Sequence, residues 1–325
     1  MSTEKAIKKQ DDVRIQEIHF YAYETFCTIG ISPSIESISI LEKCRKLALK
    51  VQDVLNIYDE NSELSQLCRN YEVGKKYHVS ELLFQFLQIN LFMADFCNGI
   101  FDPTIGSVIS LWEVCDKYGK VPGDKEMAKA LQHKGYTYLK VFPNSQEVMI
   151  DIEGIIIHPG ASGKGFALDV VMKYLKKSKV EYGYLNFGGN IYTFGDLISG
   201  DDYSWKVGIK NPCDTTSTMV TIKMKNESLS TSAGYEHYFE SDGQIYPHIL
   251  ETEDGKSVKS EFLSVSCLTK TGVIGDIFST LIYIVGKERG EQFIRNFQTK
   301  TGVQIYYFAV DMKGKVYHNM NERLL

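Results

Sequence analysis

The segment from Gly154 to Leu175 constrains the fold most, because it joins an apolar run, a turn of small residues and a helical pattern. Ile155 to Ile157 are consecutive β-branched residues, a pattern typical of a short buried strand. Pro159 to Gly163 are small, so a ligand can approach their backbone closely. Lys164 follows, and apolar residues recur at helical spacing from Phe166 onward. The segment therefore predicts a strand, a tight turn and a helix whose N-terminus suits phosphate.

Two common phosphate motifs do not match this segment. A P-loop needs glycine and a hydroxyl residue at the positions that His158 and Gly165 occupy here. The glycine pattern of dinucleotide-binding folds is also absent. A tight strand-to-helix turn with a solvated lysine therefore stays open as the alternative to a phosphate site.

Composition indicates a globular protein that does not bind nucleic acid. The chain has 325 residues, of which 43% are hydrophobic, and a formal net charge of −5. That length and hydrophobic content are enough for a sizeable core. No basic block follows the N-terminal segment, which argues against nucleic acid as a partner. The seven cysteines include no CxxC pair, which favours free thiols over disulfides or a zinc site.

We interpret residues 1–15 as a polar tail and residues 16–325 as one compact α+β domain with a mixed, largely antiparallel sheet and packed helices. The tail lacks the apolar core of a signal peptide. No apolar run is long enough to span a bilayer. We therefore expect a cytoplasmic protein without membrane insertion.

Sequence periodicity and turn residues predict the order of strands, helices and loops. The hydroxyl-rich residues 229–235 are interpreted as a loop, and Asp242-Gly243 as a hairpin turn. Strands are expected within 17–33, 136–157, 182–194, 203–210, 218–225 and 262–270, and helices over 36–57, from 63, over 80–97, 107–117, within 121–135, and over 275–285.

Asp276 and Thr280 are four residues apart at a predicted helix start, so both side chains face the same way, with Ser279 beside them. A carboxylate and hydroxyls are hard oxygen ligands that suit Mg²⁺. The alternative is an N-capping aspartate and a threonine bonded back to its own helix.

Two further positions can carry chemistry or bind a ligand. His248, between Pro247 and an Ile-Leu pair, is expected to be partly buried and could act as a base near neutral pH. A structural core histidine is the alternative. Asp102 precedes Pro103 and is either a carboxylate in a ligand loop or the start of an Asx-turn before a helix.

Taken in order, these motifs resemble the FAD:protein FMN transferases, the ApbE-type flavin transferases, and extend over nearly the whole chain. The matching motifs are Ile57-Tyr58-Asp59 with Ser62-Glu63-Leu64, Phe101 to Gly106 with Leu111-Trp112, Gly160-Ala161, Lys164-Gly165, Ala167-Leu168-Asp169, Asn186 with Gly188-Gly189-Asn190, Thr231-Ser232, Tyr246 to Leu250, and Asp276 with Ser279-Thr280.

The resemblance implies an ApbE-like domain that binds FAD and Mg²⁺ and moves FMN onto a Thr or Ser hydroxyl of an acceptor flavoprotein, with release of AMP. It implies that His248 is the catalytic residue. The residues implied to surround the metal are Ala161, through its carbonyl, Asp276, Ser279 and Thr280. The residues implied to line FAD are Phe26, Tyr58, Ile100, Phe101, Asp102, His158, Lys164 and Ile249.

The chain departs from the family pattern at His158, where the family often has Asp, at Ala233-Gly234, and after the histidine motif at Glu251 to Gly255. The missing export signal suggests a cytoplasmic acceptor, such as a soluble enzyme of the fumarate-reductase kind. Two alternatives remain open. One is a Mg²⁺-dependent FAD pyrophosphatase that yields FMN and AMP, and the other is an FAD carrier without turnover.

Overall fold

A computed structural model describes residues 14–197, 204–235, 237–241 and 243–325. The strands, in chain order, are β1 (Gln16–Ala22), β2 (Thr25–Ile31), β3 (Lys76–His78), β4 (Leu139–Phe142), β5 (Glu147–Ile150), β6 (Gly183–Phe187), β7 (Asn190–Phe194), β8 (Trp205–Asn211), β9 (Asp214–Met224), β10 (Glu227–Ala233), β11 (Tyr238–Ser241), β12 (Gln244–Pro247), β13 (Phe262–Thr269), β14 (Tyr306–Asp311) and β15 (Val316–His318). The helices are α1 (Ser37–Leu55), α2 (Glu63–Asn70), α3 (Glu81–Phe96), α4 (Gly106–Asp116), α5 (Asp124–Leu131), α6 (Gly163–Leu175) and α7 (Gly272–Thr301).

The largest sheet has eight strands in the order β1-β2-β6-β7-β10-β13-β14-β15. Three smaller sheets are β3-β5-β4, β8-β9 and β11-β12. Every strand ladder described is antiparallel. The parallel pairing is an isolated bridge between Ile105 and Ile156. The predicted α+β class, with its largely antiparallel sheet, is confirmed.

The eight-stranded sheet buries apolar side chains on both faces. Helices α1, α3, α6 and α7 cover one face and form the main core with β2, β6 and β13. The β8-β9 hairpin covers the other face, where Trp205 and Tyr184 pack edge to face. A smaller cluster around Trp112 joins α4 and α5 to the β11-β12 hairpin. Within the described ranges, no helix combines the length and apolar character needed to cross a membrane.

Helices α6 and α7 touch at two facing glycines. A Cβ atom added to Gly165 would lie 2.3 Å from the Gly272 carbonyl oxygen and 2.8 Å from the Asp276 Cβ. A Cβ atom added to Gly272 would lie 2.4 Å from the Gly165 oxygen. Because both obstacles include backbone, only glycine at these positions permits this separation. The contact brings the start of α6 against the first turns of α7.

Replacing Gly165 with Ala is therefore expected to lower the free energy of unfolding by about 1–3 kcal/mol, the usual cost of overpacking a tight contact. Chemical denaturation measures the change. The matched control is Gly163→Ala on the same helix, where the added Cβ meets only Pro159 Cβ at 3.2 Å. Equal stability of the two variants would contradict the tight crossing.

The run Ile155–Ile157 is not a strand, and that prediction is wrong. Its backbone lies beside the start of α4, where the Gly106 N–H donates to the Ile156 carbonyl at 3.0 Å. The Ile155 N–H donates to the Tyr71 hydroxyl, and the Ile157 N–H to the Cys68 sulfur. Ile155 and Ile157 are fully buried. The run is buried, which accounts for its apolar residues. Its backbone bonds to side chains and to the start of α4 instead of to a neighbouring strand.

The hydroxyl-rich residues 229–235 were expected to form a loop, but residues 229–233 belong to β10 at the centre of the large sheet. Their small side chains leave room for α7, whose Gly275 faces Ser230. Helix α7 also begins at Gly272, earlier than predicted. Most predicted tail residues, 1–13, together with Tyr203 and Asp242 of the predicted strand and hairpin turn, lie outside the described ranges.

Candidate active site

Asp276 lies in the second turn of α7, so it does not cap the helix. Thr271 occupies the N-cap position without a side-chain hydrogen bond, and the Asp169 carboxylate accepts the Gly272 and Val273 N–H groups at 2.7 and 2.9 Å. Asp276 instead accepts the Gly165 N–H through Oδ2 at 2.9 Å. Burial raises the pKa of Asp276, and nearby Lys164 opposes that shift. The alternative of an N-capping Asp276 is therefore wrong.

Three hydroxyl groups lie next to Asp276. Ser232 on β10 contacts Ser279 Oγ at 2.8 Å and Thr280 Oγ1 at 3.0 Å. Thr280 also donates to the Asp276 carbonyl, as expected for a threonine bonded back to its own helix, and Ser279 donates to the same oxygen. A hydroxyl that donates its proton to a carbonyl keeps oxygen lone pairs available. The cluster therefore presents several hard oxygen atoms beside one carboxylate.

These donors fit Mg²⁺ better than a transition metal. In the part of the chain that the structure describes, no three His, Cys, Asp or Glu residues converge on a metal site. The family resemblance groups Asp276, the hydroxyls of Ser279 and Thr280, and the Ala161 carbonyl, and that carbonyl accepts no hydrogen bond from described residues. Carboxylate, hydroxyl and carbonyl oxygens are the ligands that Mg²⁺ prefers. Burial raises the pKa of Asp276 and nearby Asn190 opposes that rise, although the buried Nδ2 of Asn190 has no hydrogen-bond partner within bonding distance.

Lys164 is the positive charge at the centre of the site. Its side chain is half-buried on the first turn of α6 and forms no ion pair with a described residue. Burial raises the pKa of Asp276 and Cys27 and lowers the pKa of His248, and the charge of Lys164 acts downward on all three, which places them within its electrostatic reach. A lysine that pairs with no described acid and lies at a helix N-terminus favours an anionic ligand.

His248 is exposed, so the prediction of a partly buried side chain is wrong. Its Nδ1 lies 2.7 Å from the His237 carbonyl oxygen. A carbonyl can only accept, so Nδ1 carries the proton and Nε2 of the neutral ring is free to accept one. The two imidazole rings meet edge to face at 5.4 Å. The arrangement suits a general base whose tautomer the backbone determines.

His248 should stay neutral well below pH 6.5. Although the side chain has exposed surface, the surrounding protein displaces water, and this desolvation lowers its pKa to about 4; the hydrogen bond to the His237 carbonyl opposes the shift, and the charges of His237 and Lys164 add to it. Because the folded pKa lies below the unfolded one, the neutral ring adds stability that is fully present above pH 6.5 and is lost as pH falls through 4. NMR titration of the histidine ring protons, with His248→Gln to assign the signal, measures this. A midpoint at or above 6.5 would contradict the prediction.

His158 and Tyr58 form one wall of a cavity of about 460 Å³. The His158 Nδ1 accepts the Gly160 N–H at 3.1 Å, and Nε2 lies 3.2 Å from the Tyr58 hydroxyl. Burial, followed by the charge of His248, lowers the pKa of His158 to about 4. The cavity is lined by Ile57, Tyr58, Cys68, Arg69, Ser110, Glu113, Gly154, Ile155, Ile156 and His158.

Asp102 is buried and its carboxylate is engaged within the protein. Oδ1 accepts the Thr104 N–H at 2.8 Å, which confirms the Asx-turn, and it also accepts the Thr104 hydroxyl. Oδ2 accepts the Tyr136 N–H at 3.1 Å. Ile100 and Phe101 precede this turn, and Phe101 is buried. The carboxylate therefore holds the loop, and a role for these residues in lining FAD stays a prediction.

Ile249 and Phe26 differ in exposure. Ile249 is buried, and its carbonyl accepts the Val258 N–H at 2.9 Å. Phe26 on β2 is 65% exposed and pairs edge to face with Tyr21 across the hairpin. An exposed aromatic ring can cover part of a ligand, but a role for either residue in binding FAD stays a prediction.

Sequence reasoning missed several residues of the site. Ser232 could have been found, because residues 230, 232 and 234 share a face if the hydroxyl run is a strand. Asp169 and Asn190 belong to matching motifs but were given no role. Glu113 and Asn90 carry no local sequence signal. The Asn90 Oδ1 accepts the Ser162 hydroxyl at 2.8 Å.

Comparisons with known proteins show the family of this chain. The model of the ApbE family matches residues 23–306. A Klebsiella pneumoniae protein named FAD:protein FMN transferase is 27% identical over 247 residues, 75% of each chain. A Treponema pallidum protein of the same name is 26% identical over 290 residues, 84% of this chain and 79% of that one.

Solved structures show the same fold. The ApbE protein of Thermotoga maritima superposes with a TM-score of 0.83 at 23% identity, covering 95% of this chain and 98% of that one. The flavin transferase ApbE of Vibrio cholerae superposes with a TM-score of 0.79 at 22% identity, covering 94% and 98%.

Proposed function

The chain belongs to the ApbE family, and from this premise we propose that it is an FAD:protein FMN transferase. The observation that carries the proposal is the hydrogen bond from the Gly165 N–H to Asp276 Oδ2 at 2.9 Å, because it sets Lys164, the preceding residue, beside the oxygen-rich cluster of α7. Lys164 also lies within electrostatic reach of His248, whose Nε2 is free to accept a proton. A protein that only stores FAD needs no such base.

The proposed substrates are FAD and a Ser or Thr hydroxyl of an acceptor flavoprotein. The hydroxyl oxygen forms a bond to the FMN phosphorus, the pyrophosphate bridge breaks, and AMP leaves with the bridging oxygen. The hydroxyl proton passes to the free Nε2 of His248. A soluble acceptor of the fumarate-reductase kind and a cytoplasmic location belong to the same proposal.

Charge neutralisation and placement are the main requirements of phosphoryl transfer. Mg²⁺ would be held by Asp276, Ser279, Thr280 and the Ala161 carbonyl, where it would neutralise phosphate charge. Lys164 at the start of α6 would bind phosphate oxygens through its ammonium group. Tyr58, His158, Phe26, Ile249 and the Ile100–Asp102 loop would orient the rest of FAD.

The test incubates the protein with FAD, Mg²⁺ and a peptide in which an acidic residue shortly precedes Ser-Gly-Ala-Thr. Mass spectrometry should show the peptide heavier by one FMN moiety, with AMP released. A peptide without hydroxyl residues and a reaction with EDTA are the controls. Free FMN and AMP with an unmodified peptide would indicate a pyrophosphatase, and bound FAD without products would indicate a carrier.

A further inference from the structure

Glu113 is a cavity-lining carboxylate that the proposed reaction does not use. It lies on α4, half-buried, among the residues that line the cavity beside His158. No Lys or Arg of the described ranges forms an ion pair with it. Arg69, in the same cavity wall, lies 3.8 Å from Glu60 instead. Its hydrogen-bond partner is the Tyr58 hydroxyl, which donates to Oε1. Glu113 is therefore placed to act on Tyr58 rather than to stabilise an ion pair.

The hydrogen bonds from His158 to Glu113 run in one direction. The His158 Nδ1 accepts the Gly160 N–H, so the neutral ring carries its proton on Nε2. That Nε2–H donates to the Tyr58 oxygen at 3.2 Å. The Tyr58 O–H then points to Glu113, because an ionised carboxylate can only accept. Each proton in this series of hydrogen bonds therefore has one position.

This series of hydrogen bonds fixes the Tyr58 side chain, which packing alone does not hold. The Tyr58 side chain is 61% exposed, so few contacts restrict its ring. An exposed ring pays an ordering cost when a ligand immobilises it, and a ring that is already held pays less. Glu113, Tyr58 and His158 also come from three separate segments, so these hydrogen bonds hold the cavity wall as one unit.

We propose that Glu113 is a positioning residue for FAD: it holds the Tyr58 ring and, through Tyr58, the His158 ring in the orientation that binds the dinucleotide. The inference rests on the proposed function, because it takes FAD as the ligand of this wall. Glu113 supports binding and takes no part in the transfer step.

The experiment measures the FAD dissociation constant in the presence of Mg²⁺ by flavin fluorescence, and kcat at saturating FAD. Glu113→Ala and Tyr58→Phe should each weaken FAD binding by roughly 10-fold, the effect of one charge-assisted hydrogen bond. The double variant should bind FAD no more weakly than the worse single variant, since both changes break the same series of hydrogen bonds. Glu113→Gln keeps an acceptor oxygen and should bind within about 3-fold of wild type.

Asp116→Asn is the matched control, because it removes the same charge from the same helix and its side chain makes no hydrogen bond or ion pair with a described group. It should leave FAD binding and kcat unchanged, whereas the Glu113 and Tyr58 variants should lose more in FAD binding than in kcat. Additive losses in the double variant, a Glu113→Gln loss equal to that of Glu113→Ala, or tighter binding by Glu113→Ala would overturn the proposal. If Glu113→Ala does not fold, Tyr58→Phe with and without Glu113→Gln gives the same comparison.

Failure of this inference is distinguishable from failure of the proposed function. Wild-type protein that binds no FAD refutes the function. Wild-type protein that binds and transfers, with Glu113 variants equal to it, refutes only the role of Glu113.

Discussion

Replacing Asp276 with Asn is expected to reduce Mg²⁺-dependent transfer at least 100-fold while leaving the fold intact. A metal that neutralises phosphate charge contributes several kcal/mol, and each ~1.4 kcal/mol corresponds to a factor of ten in rate. The amide oxygen can still accept the Gly165 N–H, so the crossing of α6 and α7 is preserved. Initial rates over a Mg²⁺ titration measure the loss.

The stability of the Asp276 variant provides a second measurement. Burial raises the pKa of Asp276 above its unfolded value, so the ionised carboxylate costs stability at neutral pH. Without metal, Asp276→Asn should therefore melt no lower than wild type. With Mg²⁺, the melting temperature should rise for wild type and much less for the variant. Transfer at the wild-type rate, or an equal Mg²⁺ effect on melting, would exclude Asp276 as a ligand.

Asp169→Asn is the matched control for a buried carboxylate nearby. Burial raises the pKa of Asp169 to about 6, so it is ionised at neutral pH and accepts two N–H groups at the start of α7. Its replacement should lower stability by about 1 kcal/mol, as the loss of a helix cap does. The Mg²⁺ concentration for half-maximal rate should not change.

Replacing His248 with Ala is expected to slow transfer by roughly 100- to 10,000-fold, the usual contribution of a positioned general base. A Ser or Thr hydroxyl is a weak nucleophile until a base takes its proton. FAD binding should remain, because the contacts proposed for the phosphates and rings come from other residues. Single-turnover transfer at saturating FAD, together with an FAD titration, separates the two effects.

His237→Gln is the matched control for this prediction. It removes the neighbouring ring but keeps the backbone carbonyl that orients His248, so transfer should stay within a few-fold of wild type. Added imidazole should partly restore transfer in His248→Ala and have no effect on the control. Transfer by His248→Ala close to the wild-type rate would make the residue structural. Joint loss of FAD binding and transfer would make it a binding residue.

Local sequence determined most of the secondary structure of this protein. Helices α1 and α3 and the β1-β2 hairpin follow from apolar periodicity and turn residues, which act over neighbouring positions. The same locality explains why Asp276, Ser279 and Thr280 could be grouped from their spacing alone. The family could also be identified from the sequence, because each matching motif is a short stretch of chain and the motifs can be compared in order.

Tertiary structure decided what these residues contact. The Gly165–Gly272 crossing brings Asp276 to α6, and the position of β10 inside the sheet brings Ser232 to Thr280. The apolar run at Ile155 became an enclosed segment beside α4 instead of a strand. Such contacts join residues far apart in the chain, so no local pattern encodes them. The proton positions on His248 and His158 depend on those distant partners and could only be assigned once the chain was folded.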